Sequence, residues 1–508
     1  MGPTLRGHVD LPLTLDRNAP VPLAVQLGDQ LRDGVRAGML RSGERLPSSR
    51  SLARLLDVSR TVVTEAFQQL YAEGWLEGRH GSGTYVASLT GLPKPGLPKP
   101  GLPKPGLLKP GPPRRDPLWN GRASANGRAR TPGAGPAGDG AGRPEPAPES
   151  WAGTRRPPPG VIDLRPGRPW VLGYDERAWK RAWRRAADLP PQAYVDPYGH
   201  PRLRELLAAH LRRARAVPAG PENVMVTRGT GNGLDLVAAT LLRPGDGAGV
   251  EEPGYRTARH VLAARGGRVV PCPVDEQGVV VAGLPDDLRV LYTTPAHQYP
   301  LGGRLPIARR ERLLAWAGRT GATVVEDDYD AEFRYDVAPL PALYGLDPGR
   351  VVLLGTLSKS LAPDVGIGWL VATPELLARV ARVRKSLADR TSGPVQEAVS
   401  VLLESGDLDR HLRRMRLEYA RRRAAIVEAL GARVLGVSAG LHVFLGLPAG
   451  AVEPLVEAAA RHGVLLDTTA RHHHGPVTAH GLVIGYGSAS LAEVRKACAV
   501  IRALLPDA

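Results

Sequence analysis

The first pattern along the chain is a set of apolar residues that recur every four positions near the N terminus. The set consists of Leu23, Leu27, Leu31, Val35 and Met39. Residues at this spacing lie on one face of an α-helix. The pattern therefore predicts an amphipathic helix over residues 23–40.

Two shorter apolar groups follow at helical spacing and are separated by a tight turn. Ser49 can cap the first helix, Ser59 can cap the second, and Asp57 between them tolerates the turn conformation. The inward positions of the second helix are Val62, Val63, Ala66, Phe67 and Leu70. An ordinary pair of packed helices would show the same pattern. The polar face opposite these residues favours a helix-turn-helix whose second helix enters the major groove of DNA.

The next segment, LEGRHGSGTYVA, alternates apolar and polar residues around a glycine-rich tip. This alternation predicts a small β-hairpin, or wing. From RLPSSRSLARLLDVSRTVV to GSGTYV, the segment resembles the GntR winged-helix family. The resemblance implies that Arg50, Arg60 and Thr64 contact DNA and that Gly81 lies in the wing. Asp57 departs from the family, which usually has glycine in the turn, but aspartate can adopt the same conformation.

Beyond residue 160, short apolar runs alternate with amphipathic stretches of ten or more residues. The runs span residues 223–227, 289–293, 323–325 and 351–354. Such alternation predicts a mainly parallel sheet covered by helices. Ligands bind such sheets beyond the carboxyl ends of the strands, so the residues that follow each run are the candidate site.

At three of these strand ends, side chains or backbone groups are suited to bind a ligand or to react with one. RGTGNGLDL, after the first run, can open a helix that binds phosphate, although a plain tight turn is an alternative. EDDYDAEFRY, after the third, could be a metal site, a solvated loop or the source of one buried carboxylate. GTLSKSLAP, at the fourth, presents Lys359, which could be a surface charge or a Schiff-base amine. Together the three segments match the needs of pyridoxal phosphate.

Seven blocks of the chain resemble the MocR-type, or GabR-like, regulators. They read YVDPYGHPRLRELLAAHL, VTRGTGNGLDL, EEPGYR, TTPAHQYPLGG, VVEDDYDAEFRY, LGTLSKSLAP and AGLHVF. The resemblance implies a multidomain protein with an N-terminal α+β winged helix-turn-helix. An α/β fold type I, aminotransferase-like domain follows, with a smaller C-terminal subdomain. We expect residues 17–88 to form the DNA-binding domain, 89–160 the linker, and 161–508 the effector and dimerisation domain.

The same resemblance implies a role for each candidate cofactor residue. Lys359 would form the Schiff base with pyridoxal 5′-phosphate, Asp327 would pair with the pyridinium nitrogen, and Tyr329 would bond the ring oxygen. Tyr255 would lie near the ring, and Thr230 and Gly231 would hold the phosphate. Tyr194 would reach the cofactor of a partner subunit.

Two positions depart from the family pattern. Relatives have an arginine that helps to hold the phosphate in the block APxLRLGW, whereas this chain reads APDVGIGW and has Gly366 there. In the late block GVLLDTTARHHHG, relatives show a Pro-Leu-Ser segment, and Arg471 is our candidate for binding an effector carboxylate. Adjacent histidines rarely converge on one ion, so we predict no metal site at residues 472–474.

The charge of the chain indicates a polyanionic partner, and its proline-rich segment indicates a long tether. The 508 residues carry a formal net charge of +17. Within residues 89–160, which contain the GLPKP repeats, lysine and arginine outnumber aspartate and glutamate by 12 to 4. The proline-rich repeat predicts a semi-rigid spacer that either serves only as a tether or also touches DNA phosphates. No leader or membrane-spanning stretch is evident, so we expect a cytoplasmic protein.

These features favour a bacterial transcriptional regulator that binds operator DNA and senses an amino compound or pyridoxal phosphate. We expect a homodimer, since palindromic operators suit two-fold proteins. We expect the aminotransferase-like domain to sense rather than to turn over substrate. Two alternatives remain: a working aminotransferase with a DNA-binding appendage, and a regulator whose aminotransferase-like domain has lost the cofactor and only dimerises.

Overall fold

The computed structural model describes residues 13–17, 19, 21–36, 39–40, 42–73, 75–79, 83–87, 157–215, 217–330, 332–335 and 342–505. Gly81 and most of the predicted linker, residues 89–156, lie outside these ranges. Across the described ranges, no helix has the length and apolar character needed to cross a membrane.

The N-terminal segment forms the predicted helix-turn-helix and wing. Its elements are α1 (Leu23–Arg36), α2 (Ser49–Leu55), α3 (Arg60–Glu73), β1 (Leu76–Arg79) and β2 (Gly83–Val86). The two strands pair antiparallel, with Leu76 opposite Val86. Leu27, Val63 and Trp75 are fully buried in the core that these elements share.

The turn between α2 and α3 forms as the sequence indicates. Asp57 adopts a positive φ of 50°, a conformation that aspartate reaches more easily than most side chains. The Ser59 hydroxyl then accepts a hydrogen bond from the Val62 amide at 3.4 Å, which supplies an acceptor to the first turn of α3.

Two details of the predicted helices are wrong. Helix α1 ends at Arg36, so Met39 lies beyond the helix and is 55 % exposed instead of continuing its apolar face. The cap of α2 is Ser48, whose hydroxyl accepts from the Ser51 amide, and Ser49 is the first helical residue. Neighbouring serines compete for the cap position, and sequence spacing does not separate them.

The large domain is built on an eight-stranded sheet. Its strands are β4 (Val224–Thr227), β5 (Gly247–Glu252), β6 (Arg268–Asp275), β7 (Gly278–Val279), β8 (Leu288–Thr293), β9 (Thr323–Asp327), β10 (Val351–Thr356) and β11 (Gly368–Val371). They lie in the order β4-β11-β10-β9-β8-β5-β6-β7. Only β11 and β7 pair antiparallel to their neighbours, which confirms the predicted mainly parallel sheet.

Helices lie between these strands along the chain and extend to its end. They are α4 (Glu176–Ala187), α5 (Pro201–Arg215), α6 (Thr230–Leu241), α7 (Arg256–Ala264), α8 (Ile307–Thr320), α9 (Leu343–Leu346), α10 (Pro374–Ser386), α11 (Gly393–Glu404), α12 (Asp407–Leu430), α13 (Ala449–Arg461) and α14 (Leu491–Leu504). The four predicted apolar runs correspond to β4, β8, β9 and β10, so the expected alternation of strands and helices is confirmed.

A second, smaller sheet confirms the C-terminal subdomain. It is antiparallel, in the order β12 (Val434–Leu435), β13 (His442–Gly446), β16 (Gly481–Gly485) and β15 (Asp467–Thr468). A short parallel pair joins β14 (Val464–Leu465) to β3 (Ile162–Asp163). The segment that follows β3 thereby approaches the subdomain, because the Gly485 amide donates to the Leu164 carbonyl.

Strand β10 explains where the apolar run before the lysine must stop. All six of its residues are buried, as expected for a strand covered on both faces. A Cβ atom at Gly355 would lie only 2.2 Å from Trp369 of the neighbouring β11. A side chain at position 355 is therefore excluded, and this close packing fixes the point from which the chain reaches Lys359.

Candidate cofactor and DNA sites

A cavity of about 290 Å³ opens at the carboxyl ends of β4, β9 and β10. Its wall includes the predicted cofactor residues Thr230, Gly231, Tyr255, Asp327, Tyr329 and Lys359. The sequence places these residues in four separate loops, and the parallel strand order brings the loops to one edge of the sheet.

Lys359 enters the cavity from the turn that follows β10. Its Nζ donates a hydrogen bond to the Gly167 carbonyl oxygen at 2.5 Å. Burial lowers the pKa of this ammonium group, although the charges of Asp327 and Asp330 oppose the shift. A lowered pKa increases the fraction of neutral amine, which is the form that attacks an aldehyde.

The acid cluster after β9 separates into groups with different partners. The Glu326 carboxylate accepts from the Leu343 and Tyr344 amides at 3.0 and 3.1 Å, where it supports the start of α9. Asp328 receives two hydrogen bonds from Arg215. Asp330 lies 2.9 Å from His297 Nδ1. Three carboxylates of the cluster are therefore bonded separately, and Glu332 is buried with Oε2 unpartnered among the described residues, so the cluster is not a solvated loop.

Asp327 differs from these neighbours because one of its oxygens is unsatisfied. The Tyr292 hydroxyl donates to Oδ2 at 2.6 Å, whereas Oδ1 is buried and has no hydrogen-bond partner among the described residues. Burial raises the pKa of this carboxyl group to about 7, although Tyr292 and Thr230 oppose the shift. A buried acceptor of this kind suits a cationic donor such as a protonated ring nitrogen.

The N terminus of α6 forms a second polar part of the wall. Gly229 precedes the helix with a φ of 101°, and no side chain caps the free amides there. A Cβ atom at Gly229 would lie 3.5 Å from Thr356 Oγ1 and 3.9 Å from Ser358 Oγ. Backbone amides and hydroxyl groups thus converge where an anion would be stabilised by the helix terminus.

Aromatic rings form much of the remaining wall. Tyr255 stacks on Tyr292 with ring centroids 6.4 Å apart and planes inclined by 27°, and Tyr299 meets Tyr255 edge-on at 6.1 Å. Tyr329 also lines the cavity, but its hydroxyl donates to the His297 carbonyl oxygen at 3.0 Å. The wall therefore combines flat apolar surfaces with a few polar groups, as small-molecule sites commonly do.

Three buried groups behind this wall lie close enough to share a ligand. The candidate ligand atoms of His297, Asp330 and His442 all fall within 4.8 Å of one another. His297 and Asp330 already bond each other, whereas His442 lines the cavity and its Nε2 has no hydrogen-bond partner among the described residues. The arrangement is accounted for by a hydrogen-bonded histidine–aspartate pair with a second histidine beside it.

Two family descriptions match the chain in separate segments. Residues 23–86 match "Bacterial regulatory proteins, gntR family", and residues 171–474 match "Aminotransferase class I and II". A regulator from Corynebacterium glutamicum, the "HTH-type pyridoxine biosynthesis transcriptional regulator PdxR", is 34 % identical over 94 % of this chain and 95 % of its own length. The chain belongs to the MocR-type transcriptional regulators.

Further comparisons agree that the chain belongs to the MocR-type regulators. The "Probable rhizopine catabolism regulatory protein MocR" of Rhizobium meliloti is 36 % identical over 82 % of this chain and 78 % of its own length. An archaeal alanine:glyoxylate aminotransferase superposes with a TM-score of 0.64 at 25 % identity, over 70 % of this chain and 92 % of the other. The large domain therefore has the fold type I aminotransferase fold.

A solved relative contains the kind of molecule that this fold family uses. The structure of LysN, the α-aminoadipate aminotransferase of Thermus thermophilus, holds N-(5′-phosphopyridoxyl)-L-leucine. It has 25 % identity and a TM-score of 0.61, and it covers 68 % of this chain and 92 % of its own. The aminotransferase class I and II fold family depends on pyridoxal phosphate.

The cavity residues of the regulator fit this cofactor. Lys359 offers an amine, the unsatisfied oxygen of Asp327 offers an acceptor for the ring nitrogen, and the start of α6 offers donors for the phosphate. Tyr255 offers an aromatic face. The roles of these residues remain predictions, and the structure shows that Lys359 lies in the cavity wall.

Other predicted positions lie outside the cavity wall. Gly366 adopts a left-handed conformation with φ 57° and ψ 38° and carries no side chain towards the site. Arg471 pairs with Asp467 at 3.3 Å and is not part of the wall. Tyr194 is 95 % exposed. The effector role of Arg471 and the partner contact of Tyr194 therefore remain predictions.

The predicted DNA-binding residues lie on the two helices of the N-terminal domain. Arg50 on α2 and Arg60 at the start of α3 are exposed, as a DNA contact requires. Thr64 is half-buried, and its hydroxyl donates to the Arg60 carbonyl oxygen at 2.9 Å. Gly81 lies outside the described residues, so the tip of the wing stays a prediction.

Sequence reasoning missed several residues of the cavity. They are Gly167, Arg228, Gly229, Tyr292, Thr294, Tyr299, Thr356, Ser358, Pro363, Leu441 and His442. Thr356 and Ser358 flank Lys359 closely enough that their hydroxyl groups could have been proposed from the sequence. Tyr292 lies on β8, and its contact with Asp327 becomes evident only when β8 is paired beside β9.

We expect the ligand-free D327N variant to exceed the wild type in stability by a margin that depends on pH. The folded protein holds this proton up to a pKa of about 7, whereas the unfolded chain releases it near 3.8. Wild-type stability therefore falls as pH rises between these values, and the margin should widen over that window and stay constant above it. Thermal unfolding midpoints at several pH values test this. D286N, which alters an exposed carboxyl group, is the control. A stability difference between D327N and the wild type that does not change with pH would contradict the raised pKa of Asp327.

Proposed function

We propose that this MocR-type regulator binds pyridoxal phosphate reversibly and that occupancy of the cavity changes its affinity for operator DNA. One observation carries the proposal: the half-buried amine of Lys359 shares a cavity with the unsatisfied carboxylate oxygen of Asp327 and the uncapped start of α6. When bound, pyridoxal phosphate supplies an aldehyde that condenses with primary amines.

Each part of the chain has a separate task in this proposal. Lys359 would hold the cofactor through its amine, Asp327 would hold a proton at the ring nitrogen, and the α6 amides would bind the phosphate. Tyr255 and Tyr292 exclude water from one side of the ring. The α3 helix of the N-terminal domain reads the operator through exposed Arg60, and exposed Arg50 of α2 contacts bases or phosphates beside it.

The signal we favour is pyridoxal phosphate itself. The Corynebacterium relative is named as a regulator of pyridoxine biosynthesis, and a regulator of that kind needs to report the supply of the cofactor. Gly366 lacks the guanidinium group that the family pattern places there, so a charge-assisted contact to phosphate is missing at this position.

An amino compound is the second candidate signal. Such a compound would compete with the Lys359 amine for the aldehyde, and Arg471, which is 42 % exposed, would bind its carboxylate group. The Rhizobium meliloti relative is named as a rhizopine catabolism regulator, which accords with regulation by a small organic compound. We further propose a homodimer in which the exposed Tyr194 approaches the cavity of the second subunit.

Trapping experiments on Lys359 test the cofactor assignment. Full-length protein incubated with pyridoxal phosphate and reduced with borohydride should carry the cofactor on the peptide that contains Lys359. The K359A variant should carry none, while K385A, which removes an exposed lysine of α10, should label like the wild type. Equal labelling of K359A and the wild type would place the reactive amine elsewhere. Conversion of an amino donor to its oxo acid at ordinary enzyme rates would instead favour an aminotransferase.

Substitution of Arg60 tests the DNA-binding face. A guanidinium contact to a base is typically worth about 1–3 kcal/mol, so R60A should lower the affinity for a selected operator by about ten-fold or more. Fluorescence anisotropy with DNA fragments enriched by the wild-type protein from a random pool provides the measurement. R177A removes an exposed charge from the large domain and should bind almost as the wild type does. Equal losses in R60A and R177A would show that only net charge matters.

A further inference from the structure

The phosphate part of the cavity has neutral donors but lacks the expected cation at position 366. Thr356, Ser358 and the α6 amides surround this region, and Gly366 has no side chain to add. A phosphate dianion held only by neutral donors lacks the stronger, charge-assisted kind of hydrogen bond. Another residue that brings a guanidinium group to this end of the cavity would supply it.

We propose that Arg228 is the phosphate-binding arginine of this chain and takes the place that Gly366 leaves vacant. The proposal rests on the proposed function, because it assumes that pyridoxal phosphate binds at Lys359. Arg228 immediately precedes Gly229 and Thr230 at the start of α6, and all three line the cavity.

The strand register brings Arg228 close to position 366. Strands β4 and β11 are antiparallel neighbours, with Thr227 opposite Gly368. Arg228 is the first residue after β4, and Gly366 lies two residues before Gly368. The backbones remain close past the last pair, because a Cβ atom at Gly368 would lie 2.6 Å from Gly229 Cα. Residues 228 and 366 therefore lie at the same edge of the sheet. A guanidinium group on either residue would extend from that edge.

The Arg228 side chain has donors available for a further acceptor. It is 56 % exposed, and its only hydrogen-bond or ion-pair partner among the described residues is Asp389, which contacts Nη2. Nε and Nη1 thus retain their donor capacity. Arginine can bind two acceptors at once through its planar fork of five N–H groups, so phosphate and Asp389 can be contacted together.

Asp389 does not depend on Arg228 for charge compensation. Its carboxylate is 8 % exposed, and its second oxygen accepts from Arg384 Nε at 3.0 Å. Arg384 is itself held by the Val226 carbonyl oxygen at 2.6 Å and by the Thr391 hydroxyl at 2.8 Å. Asp389 therefore keeps a fixed cationic partner when Arg228 turns towards a phosphate group.

Comparing two ligands that differ only in the phosphate group tests the proposal. Dissociation constants for pyridoxal phosphate and for pyridoxal are measured by absorbance titration of full-length wild type and R228A. The charge-assisted contact predicts that R228A binds pyridoxal phosphate about ten-fold or more weakly, with pyridoxal affinity unchanged. R268A, which removes an exposed arginine paired with Asp287, is the matched control and should match the wild type for both ligands.

A third variant separates phosphate binding from a structural role. If Arg228 only holds Asp389, D389N should weaken pyridoxal phosphate as much as R228A does. If Arg228 binds phosphate, D389N should bind at least as tightly as the wild type, because the guanidinium group is released. Thermal unfolding of the ligand-free variants confirms that each is folded. An unchanged pyridoxal phosphate affinity in R228A, or an equal loss for pyridoxal, would overturn this proposal alone, whereas failure of the wild type to bind either ligand would overturn the proposed function.

Discussion

Asp327 is the last residue of β9. One of its carboxylate oxygens is bonded to Tyr292, and the other is buried without a partner among the described residues. A buried acceptor in this state costs about 1–3 kcal/mol relative to a satisfied one. The burial of the same group raises its pKa to about 7. The ligand-free fold thus holds a carboxyl group in an unfavourable environment, and a cationic ring nitrogen would relieve both effects at once.

The surrounding structure keeps that carboxyl group and its chemical partners in place. Three other acidic side chains of the segment, Glu326, Asp328 and Asp330, are bonded to the first amides of α9, to Arg215 and to His297. Glu332 Oε2 is also buried without a partner among the described residues, but Glu332 is not part of the cavity wall. Lys359 reaches the cavity from β10, where close packing of Gly355 on Trp369 fixes the backbone. The amine and the acid are therefore held by neighbouring strands of one rigid sheet, which limits how far either can move.

Sequence reasoning succeeded where a residue's role depends on its own loop. Lys359, Asp327 and Thr230 each follow a recognisable apolar run, and parallel strands bring the ends of such runs together. It failed where the role depends on a neighbouring strand. Tyr292 reaches Asp327 only through the β8–β9 register, and Arg228 lies near Gly366 only through the β4–β11 register. The end of α1 at Arg36 and the cap at Ser48 were missed because local propensity barely separates adjacent positions.

Coupling between cavity and operator is the central claim, and thermodynamic linkage gives its most direct measurement. If pyridoxal phosphate changes the affinity of the regulator for operator DNA, the operator must change the affinity for pyridoxal phosphate by the same factor. We would titrate pyridoxal phosphate into the full-length protein with and without saturating operator. The account predicts two different dissociation constants whose ratio equals the ratio of the DNA dissociation constants with and without the cofactor. Identical dissociation constants would mean that binding in the cavity does not change the affinity for operator DNA. That result would contradict the account.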